Sequence, residues 1–240
     1  MAHPTAEKPW TAEGAAKREA VRDMFAGIAP KYDLMNGLMS LSLHHRWRKA
    51  AVAMLDLHPG DKALDVCCGT GDFMVPLFES VGETGFVGGV DFCLPMLAQA
   101  QSKLGTHRIS LGDACRLPFQ SGTMDAVSVG WGIRNVPDID QAHAEAYRVL
   151  RPGGRFVSLD MAKPRNPILR WLSTLLFKTV VPWLGGVLSS KKAYAYLPES
   201  TQRFWSRAEL TSSLERAGFV DCGYRDLFFG NICIHYGRKK

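Results

Sequence analysis

No apolar run in this 240-residue chain is long enough to cross a bilayer, and residues 1–9 contain no apolar signal core. Both absences lead to the expectation of a protein made and kept in the cytoplasm. The six cysteines, at 67, 68, 93, 115, 222 and 233, form no CxxC pair and no spacing suited to zinc. Neither a metal site nor a disulfide framework is therefore expected, and the cysteines read as small core residues in a reducing compartment. Acidic residues are missing from 161–192, which carries Lys163, Arg165, Arg170, Lys178, Lys191 and Lys192. That segment alone accounts for the net charge of +6, since the other 23 basic and 23 acidic residues cancel. Its cations sit among Ile168, Trp171, Leu172, Leu175, Leu176, Phe177, Val180, Val181, Trp183, Leu184, Val187 and Leu188. The combination suits peripheral contact with an anionic membrane surface; the alternative is a core helix whose charges face water. Pro182 and Gly185-Gly186 interrupt the run and exclude a simple span.

The most informative stretch, Ala63-Leu-Asp-Val-Cys-Cys-Gly-Thr-Gly-Asp72, is also defined by what it lacks. A buried strand over 62–67 leads into a turn at Gly69 and Gly71, and Met74, Leu77, Phe78 and Val81 follow at helical spacing. A second strand over 86–90 ends at Asp91, where a carboxylate can accept both hydroxyls of a ribose. This is a nucleotide cradle, but a dinucleotide fingerprint requires a third glycine where Met74 stands. The loop has no lysine to meet a phosphate, and Asp65 precedes the turn. S-adenosylmethionine, with a ribose, an adenine, a cationic sulfonium and no pyrophosphate, fits these residues better. With Asp65, Asp91 and Asp113 at strand ends, a methyltransferase-type site is favoured over a dehydrogenase.

A composition of 46% hydrophobic and 22% charged residues is that of a globular chain, and the length suits one large domain. Helices are expected around Val21, Met24, Phe25 and Ile28, and around Trp47, Ala50, Ala51, Met54 and Leu55. Strands near 62–67, 86–91, 108–111, 125–130 and 154–160 alternate with helices near 72–81, 94–104 and 139–150. This alternation predicts an α/β, doubly wound, mostly parallel sheet. Asp138 with Gln141 and Ser206 with Glu209 read as helix-start pairs, the second opening a helix over 207–217. Two further strands flank a turn at Gly230-Asn231 and predict a hairpin at one sheet edge. The organisation expected is a flexible segment over 1–20 and a single domain over 21–240, with N-terminal helices (21–58) and a substrate-side insertion (161–200).

The sequence Tyr32-Asp-Leu-Met-Asn-Gly-Leu-Met-Ser-Leu-Ser-Leu-His-His-Arg-Trp47 resembles the N-terminal signature of the ubiquinone/menaquinone biosynthesis C-methyltransferase family. Gly132-Ile-Arg-Asn135, Arg148-Val-Leu-Arg-Pro-Gly-Gly154 and Ala193-Tyr-Ala-Tyr-Leu-Pro-Glu-Ser200 resemble the same family in the same order. The similarity covers about residues 20 to 238 and implies the seven-stranded class I methyltransferase fold with an antiparallel last strand. Three departures stand out: Cys67 replaces a usual first glycine, Asp160 and Ala162 replace a usual Glu and Ser, and Gly130 stands where relatives often carry a cofactor-contacting serine.

The resemblance implies transfer of a methyl group to a ring carbon of a reduced polyprenyl quinone precursor. It places Thr70, Asp91, Asp113 and Ala114 on S-adenosylmethionine, with Asp65, the Gly69–Gly71 turn and Gly130 beside them. Asp113 also reads as a turn residue after Gly112. Arg134 is the first candidate for stabilising a phenolate, beside Asn135; the structural alternative is a loop ion pair with an acid such as Asp138. His44 and His45 are alternative bases, and Tyr32, Tyr194 and Tyr196 can close the pocket or bond the quinol oxygens. Methylation of another phenolic or lipidic molecule, or a non-catalytic scaffold binding protein or RNA, are the rival functions. Strand four lacks the Asn/Asp-Pro-Pro-aromatic tetrad of base-amine methylation, which disfavours a nucleic-acid substrate. A homo-oligomer or a quinone-synthesis complex is compatible with the chain.

Overall fold

In the computed structural model, the described residues are 14–105, 108–188 and 191–240, with the backbone course alone at 178, 180–188 and 191–195. The chain opens with helices α1 (Gly14–Ile28), α2 (Tyr32–Ser40) and α3 (Leu43–Val52). It continues through β1 (Lys62–Val66), α4 (Met74–Val81), β2 (Phe86–Asp91), α5 (Leu94–Leu104), β3 (Ile109–Leu111), β4 (Met124–Gly130), α6 (Ile139–Val149) and β5 (Leu150–Met161). Helices α7 (Pro167–Leu188), α8 (Lys191–Arg203) and α9 (Arg207–Arg216) precede β6 (Phe219–Leu227) and β7 (Ile232–Lys239).

The strands form one seven-stranded sheet in the order β3-β2-β1-β4-β5-β7-β6. Strands β1 to β5 pair in parallel, whereas β7 is antiparallel to both β5 and β6. The doubly wound sheet and its edge hairpin are therefore as the sequence pattern required. The reversal of neighbours at β1 and β4 is the topological switch point, and a crevice opens there beyond the strand ends. Every residue of β1 after Lys62 is buried, because helices cover both faces of the sheet.

Two core clusters follow from that layering. Leu64, Val127, Val149, Leu150, Phe156 and Leu214 pack on the face covered by α6 and α9. Ala63, Met74, Leu77, Val87, Val157 and Ile234 pack on the other, against α3 and α4. A smaller cluster of Ile28, Ala29, Met35, Cys93 and Met96 seats the N-terminal helices above the strand ends. The six cysteines are all free, and three of them are buried.

Three boundaries differ from expectation. Residues 14–20, expected as flexible, belong to α1, which docks Val21 and Ile28 in the core. Helix α2 was not anticipated; it ends on left-handed Leu41 and Ser42, and its Leu34, Leu38 and Leu41 are exposed, so the chain shows no ordinary amphipathic stripe there. The insertion is two helices, and the strand before it reaches back to Leu150 because the Arg151-Pro-Gly-Gly154 turn is absorbed as an irregularity in its pairing with β4. Among the described residues, no helix is long and apolar enough to cross a membrane.

Helix α6 carries the loop that follows β4, and its start depends on Asp138, whose carboxylate accepts from the Gln141 backbone N–H at 3.0 Å. Asp138→Ala is expected to cost about 1 kcal/mol in urea unfolding, with Asp138→Ser recovering most of it.

Candidate functional site

A cleft of about 690 Å³ lies at the switch point, walled by the ends of β1, β2 and β4 and by α1. Asp91 ends β2 inside it, 7% exposed. Its two carboxylate oxygens accept from Gly69 N at 2.9 Å and Cys93 N at 2.8 Å, which fixes their direction while leaving each a further lone pair. Burial pushes Asp91 up to about 6, and those backbone N–H groups pull it down less strongly. Asp113 accepts from Cys115 N at 2.9 Å and pairs with Arg18 of α1 at 2.8 Å, beside Ala114 in the same wall. With Asp91 and Asp113 against Arg18, the charge of this wall suits a cationic ligand better than a pyrophosphate.

Gly69 (φ +54) faces open space within the cleft, so a ligand can approach its backbone closely. Gly130 also lines the cleft, but an added Cβ would meet the Phe73 ring at 2.5 Å. A serine has no room there while the Phe73 ring keeps this position. Cys67 takes the left-handed conformation at φ 56 that glycine usually supplies, and Gly132 packs against its side chain.

Three residues expected to meet the cofactor lie outside the cleft lining. Asp65 is buried under it, accepts from Ser128 Oγ at 2.7 Å, and is pushed up to about 7 by burial. Thr70 donates to Asp33 of α2 at 2.5 Å, and Lys103 joins Asp33 at 2.8 Å and Asp72 at 2.5 Å. The hydroxyl is thus committed to fastening α2 over the loop. Gly71 (φ +81) is needed for packing, because a Cβ would lie 2.6 Å from Leu104.

A second cavity of about 1070 Å³ is lined mainly by apolar side chains, among them Met24, Ile28, Leu43, Phe177, Leu197 and Ile232. Phe25, Tyr32 and Trp131 belong to both cavities and form their common wall. Arg134 and His44 line the apolar cavity, whereas Asn135 lines the cleft. Tyr196 contributes to the apolar cavity; the side chain of Tyr194 lies outside the described residues.

The loop after β4 is held by a buried network. Arg134 pairs with Asp160 of β5 and donates to the Trp131 carbonyl at 3.1 Å. The structural alternative of a loop-holding pair with an acid is thus present, with Asp160 as the acid, while Asp138 caps α6. Burial alone would lower Arg134, but the Asp160 carboxylate raises it above its ordinary value and keeps it charged. Its Nε is buried without a partner. Asn135 donates to the same carbonyl at 3.0 Å and accepts from Tyr196 Oη at 2.8 Å, tying α8 to the loop. Burial pushes that phenol up to about 12.

His44 is 4% exposed, with Nδ1 against the Arg48 guanidinium. Arg48 pairs with Asp72 at 3.1 Å and lies 4.7 Å over the Trp131 ring. Burial first, and then Arg48, lower His44 to about 4. Because a guanidinium can only donate, Nδ1 is the acceptor and the ring proton sits on Nε2, which is buried without a partner. This arrangement favours His44 as a donor over the base expected from the sequence. His45 is exposed. Arg18, Arg48, Asp72 and Trp131 were not singled out from sequence; only the sequence proximity of Arg48 and Trp131 to His44 and Arg134 hinted at them.

Residues 13–239 match the ubiE/COQ5 methyltransferase family. A demethylmenaquinone methyltransferase of Desulfitobacterium hafniense is 41% identical over 233 residues, covering 94% of this chain and 92% of that protein. One of Staphylococcus aureus is 39% identical, covering 95% and 97%. Among solved structures, a SAM-dependent methyltransferase of Thermotoga maritima superposes with a TM-score of 0.66 at 21% identity, covering 91% of this chain and 99% of that one.

Asp91 generates a pH dependence. With its ionisation at about 6, the carboxylate accepts hydroxyls fully above that value and loses an acceptor below it. Affinity for S-adenosylmethionine, measured by calorimetry, is expected to fall as pH drops through 6, by up to about tenfold per unit. Asp91→Asn should bind weakly and without this step.

Proposed function

The chain belongs to the ubiE/COQ5 methyltransferase family, and from that membership we propose that it methylates a ring carbon of a reduced polyprenyl quinone precursor, demethylmenaquinol or 2-polyprenyl-6-methoxy-1,4-benzoquinol. The observation that carries this reading is the apolar cavity of about 1070 Å³ that shares a wall with the nucleotide cleft and has His44 and Arg134 among its lining residues. An isoprenoid tail requires such an apolar channel, and a phenolic ring requires donors at its oxygens.

S-adenosylmethionine, when bound, supplies an electrophilic methyl group on a cationic sulfur. Asp91, Asp113, the Ala114 backbone and the open backbone at Gly69 are the groups that would hold it, and the acidic cleft wall suits its charge. A hydroquinol that loses a phenolic proton pushes electron density onto the adjacent carbon, which an oxidised quinone cannot do. A phenol's ordinary pKa is about 10, so stabilising the phenolate matters at neutral pH. Arg134 does so by charge, and His44 does so by donating from Nε2, both held in place before the acceptor arrives. Tyr32 and Trp131 align the ring against the cleft and exclude water.

The mouth of the apolar cavity includes Leu41 and Phe228, both exposed. Exposed Leu34, Leu38, Phe229, Ile168 and Trp171 extend the apolar surface on neighbouring elements. Peripheral contact with an anionic bilayer, supported by Arg165 and Arg170 beside it, would let the tail enter directly. Lys178, Lys191 and Lys192, which the sequence reading also assigned to that contact, have side chains outside the described residues.

Turnover with labelled S-adenosylmethionine is expected with reduced short-chain demethylmenaquinol or its benzoquinol counterpart, and not with the oxidised forms, by mass spectrometry of the product. Methylation of neither reduced acceptor would overturn the proposal. His44→Leu is expected to lower turnover by about tenfold to a hundredfold at unchanged cofactor affinity. The wild-type pH–rate profile should show no limb near 6.5 that His44→Leu removes; such a limb would restore His44 as a base.

A further inference from the structure

A third cavity, of about 570 Å³, shares Met161 with the apolar cavity and nothing with the nucleotide cleft. It lies between the segment after β5, the start of α7, the start of α9 and the middle of β7. Its lining includes four cations, Lys163, Arg165, Arg170 and Arg207, and no carboxylate. The adjoining acid, Asp226, is taken by Arg207 at 2.6 Å and approached by Arg165 at 3.8 Å. Glu209 is occupied closing the start of α9 through the Ser206 backbone N–H.

The cations are not equivalent. Arg207 is structural, since its remaining donors reach the carbonyls of Lys163 at 2.8 Å and Gly230 at 2.9 Å. Lys163 Nζ donates to the carbonyls of Gln202 at 3.1 Å and Phe204 at 3.2 Å and retains a third N–H. Arg170 uses Nε on the Pro164 carbonyl at 2.9 Å, which leaves its two terminal nitrogens with no partner among the described residues. Convergence of like charges in one concavity is unfavourable without an anion.

A second observation points the same way. His235 of β7 is 4% exposed and lines this cavity; its ring is hydrogen-bonded to the Arg207 backbone, and its Nε2 is buried without a partner. Buried polar atoms are ordinarily satisfied, and an apolar residue would fill this strand position without the penalty. Burial first, and the Arg207 guanidinium after it, lower the ring to about 4, so a neutral imidazole forms this part of the wall beside the cations.

We propose that this cavity is a binding site for a phosphate-type oxyanion, with Arg165, Arg170 and Lys163 as its charged donors and His235 in its wall. A tetrahedral anion has enough oxygens to meet several donors at once, and arginine forks match it. The site does not depend on the acceptor proposed above. Free phosphate and the headgroup of an acidic phospholipid present the same chemistry, and the exposed Ile168 and Trp171 next to Arg165 and Arg170 make the second source accessible.

The full chain, labelled at its histidine rings, is titrated with inorganic phosphate, and separately with phosphatidylcholine vesicles with and without phosphatidylglycerol. A saturating shift of the His235 resonance with phosphate identifies a free anion; a shift with phosphatidylglycerol vesicles alone identifies a headgroup. In either case Arg165→Gln/Arg170→Gln, at exposed positions that leave the core intact, is expected to weaken the response by about tenfold or more. No His235 shift with either probe, or a shift indifferent to the double substitution, overturns the site. The same double substitution, assayed by calorimetry with inorganic phosphate and with phosphatidylglycerol vesicles, supplies a readout that needs no histidine signal and should likewise weaken binding.

Discussion

The buried pairing of Arg134 with Asp160 is the constraint on which the rest of the site depends. It joins the loop after β4 to the end of β5, and the same guanidinium grips the Trp131 carbonyl. Trp131 sits at a positive φ of 53 and therefore needs such external support. Once that carbonyl is fixed, Asn135 binds it too, and Tyr196 binds Asn135. One ion pair thus positions the wall shared by two cavities and ties the insertion to it. Losing either partner of a buried pair leaves an uncompensated charge and costs about 3–5 kcal/mol, so this arrangement acts as a unit.

On the other side of Trp131 a second network performs a similar task from the N-terminal helices. Asp72, Arg48 and His44 form a chain that reaches the wall of the apolar cavity, while Asp33, Thr70 and Lys103 clamp α2 to the glycine loop. Arg48 also covers the indole ring. The apolar cavity is thereby bounded by His44 and Arg134, whose neighbouring charges are balanced by Asp72 and Asp160 behind them. In the proposed reaction, groups held in place in this way would stabilise developing negative charge without reorganising. The cleft wall has the opposite character, since its carboxylates prefer a cation.

Much of this architecture could be read from the chain. The period of the strands and helices from Lys62 to Gly154 specified the parallel sheet, and Asp91 at the end of an apolar run marked the cleft because a carboxylate at a strand end has few structural reasons to be buried. Other readings were altered by packing. Thr70 and Gly71 look like ligand contacts from loop spacing, and packing gives each a structural task as well, Thr70 anchoring α2 and Gly71 holding the turn at a positive φ. Asp138 looks like the partner of Arg134 because it is near in sequence, but a helix start claims it, and the partner comes from 26 residues away.

The sequence by itself determined the local terms: strand and helix periods, caps, the glycine turn and the identity of the strand-end acids, because each depends on residues a few positions apart. Only the tertiary structure decided which side of each residue meets a cavity and which polar atom is left over. The proton position on His44, the stranded Nε of Arg134, the lack of space at Gly130 and the cationic cavity around His235 all arise from contacts between distant segments. Burial and pairing set the chemistry of an ionisable side chain, and both are properties of neighbours that the linear order does not specify.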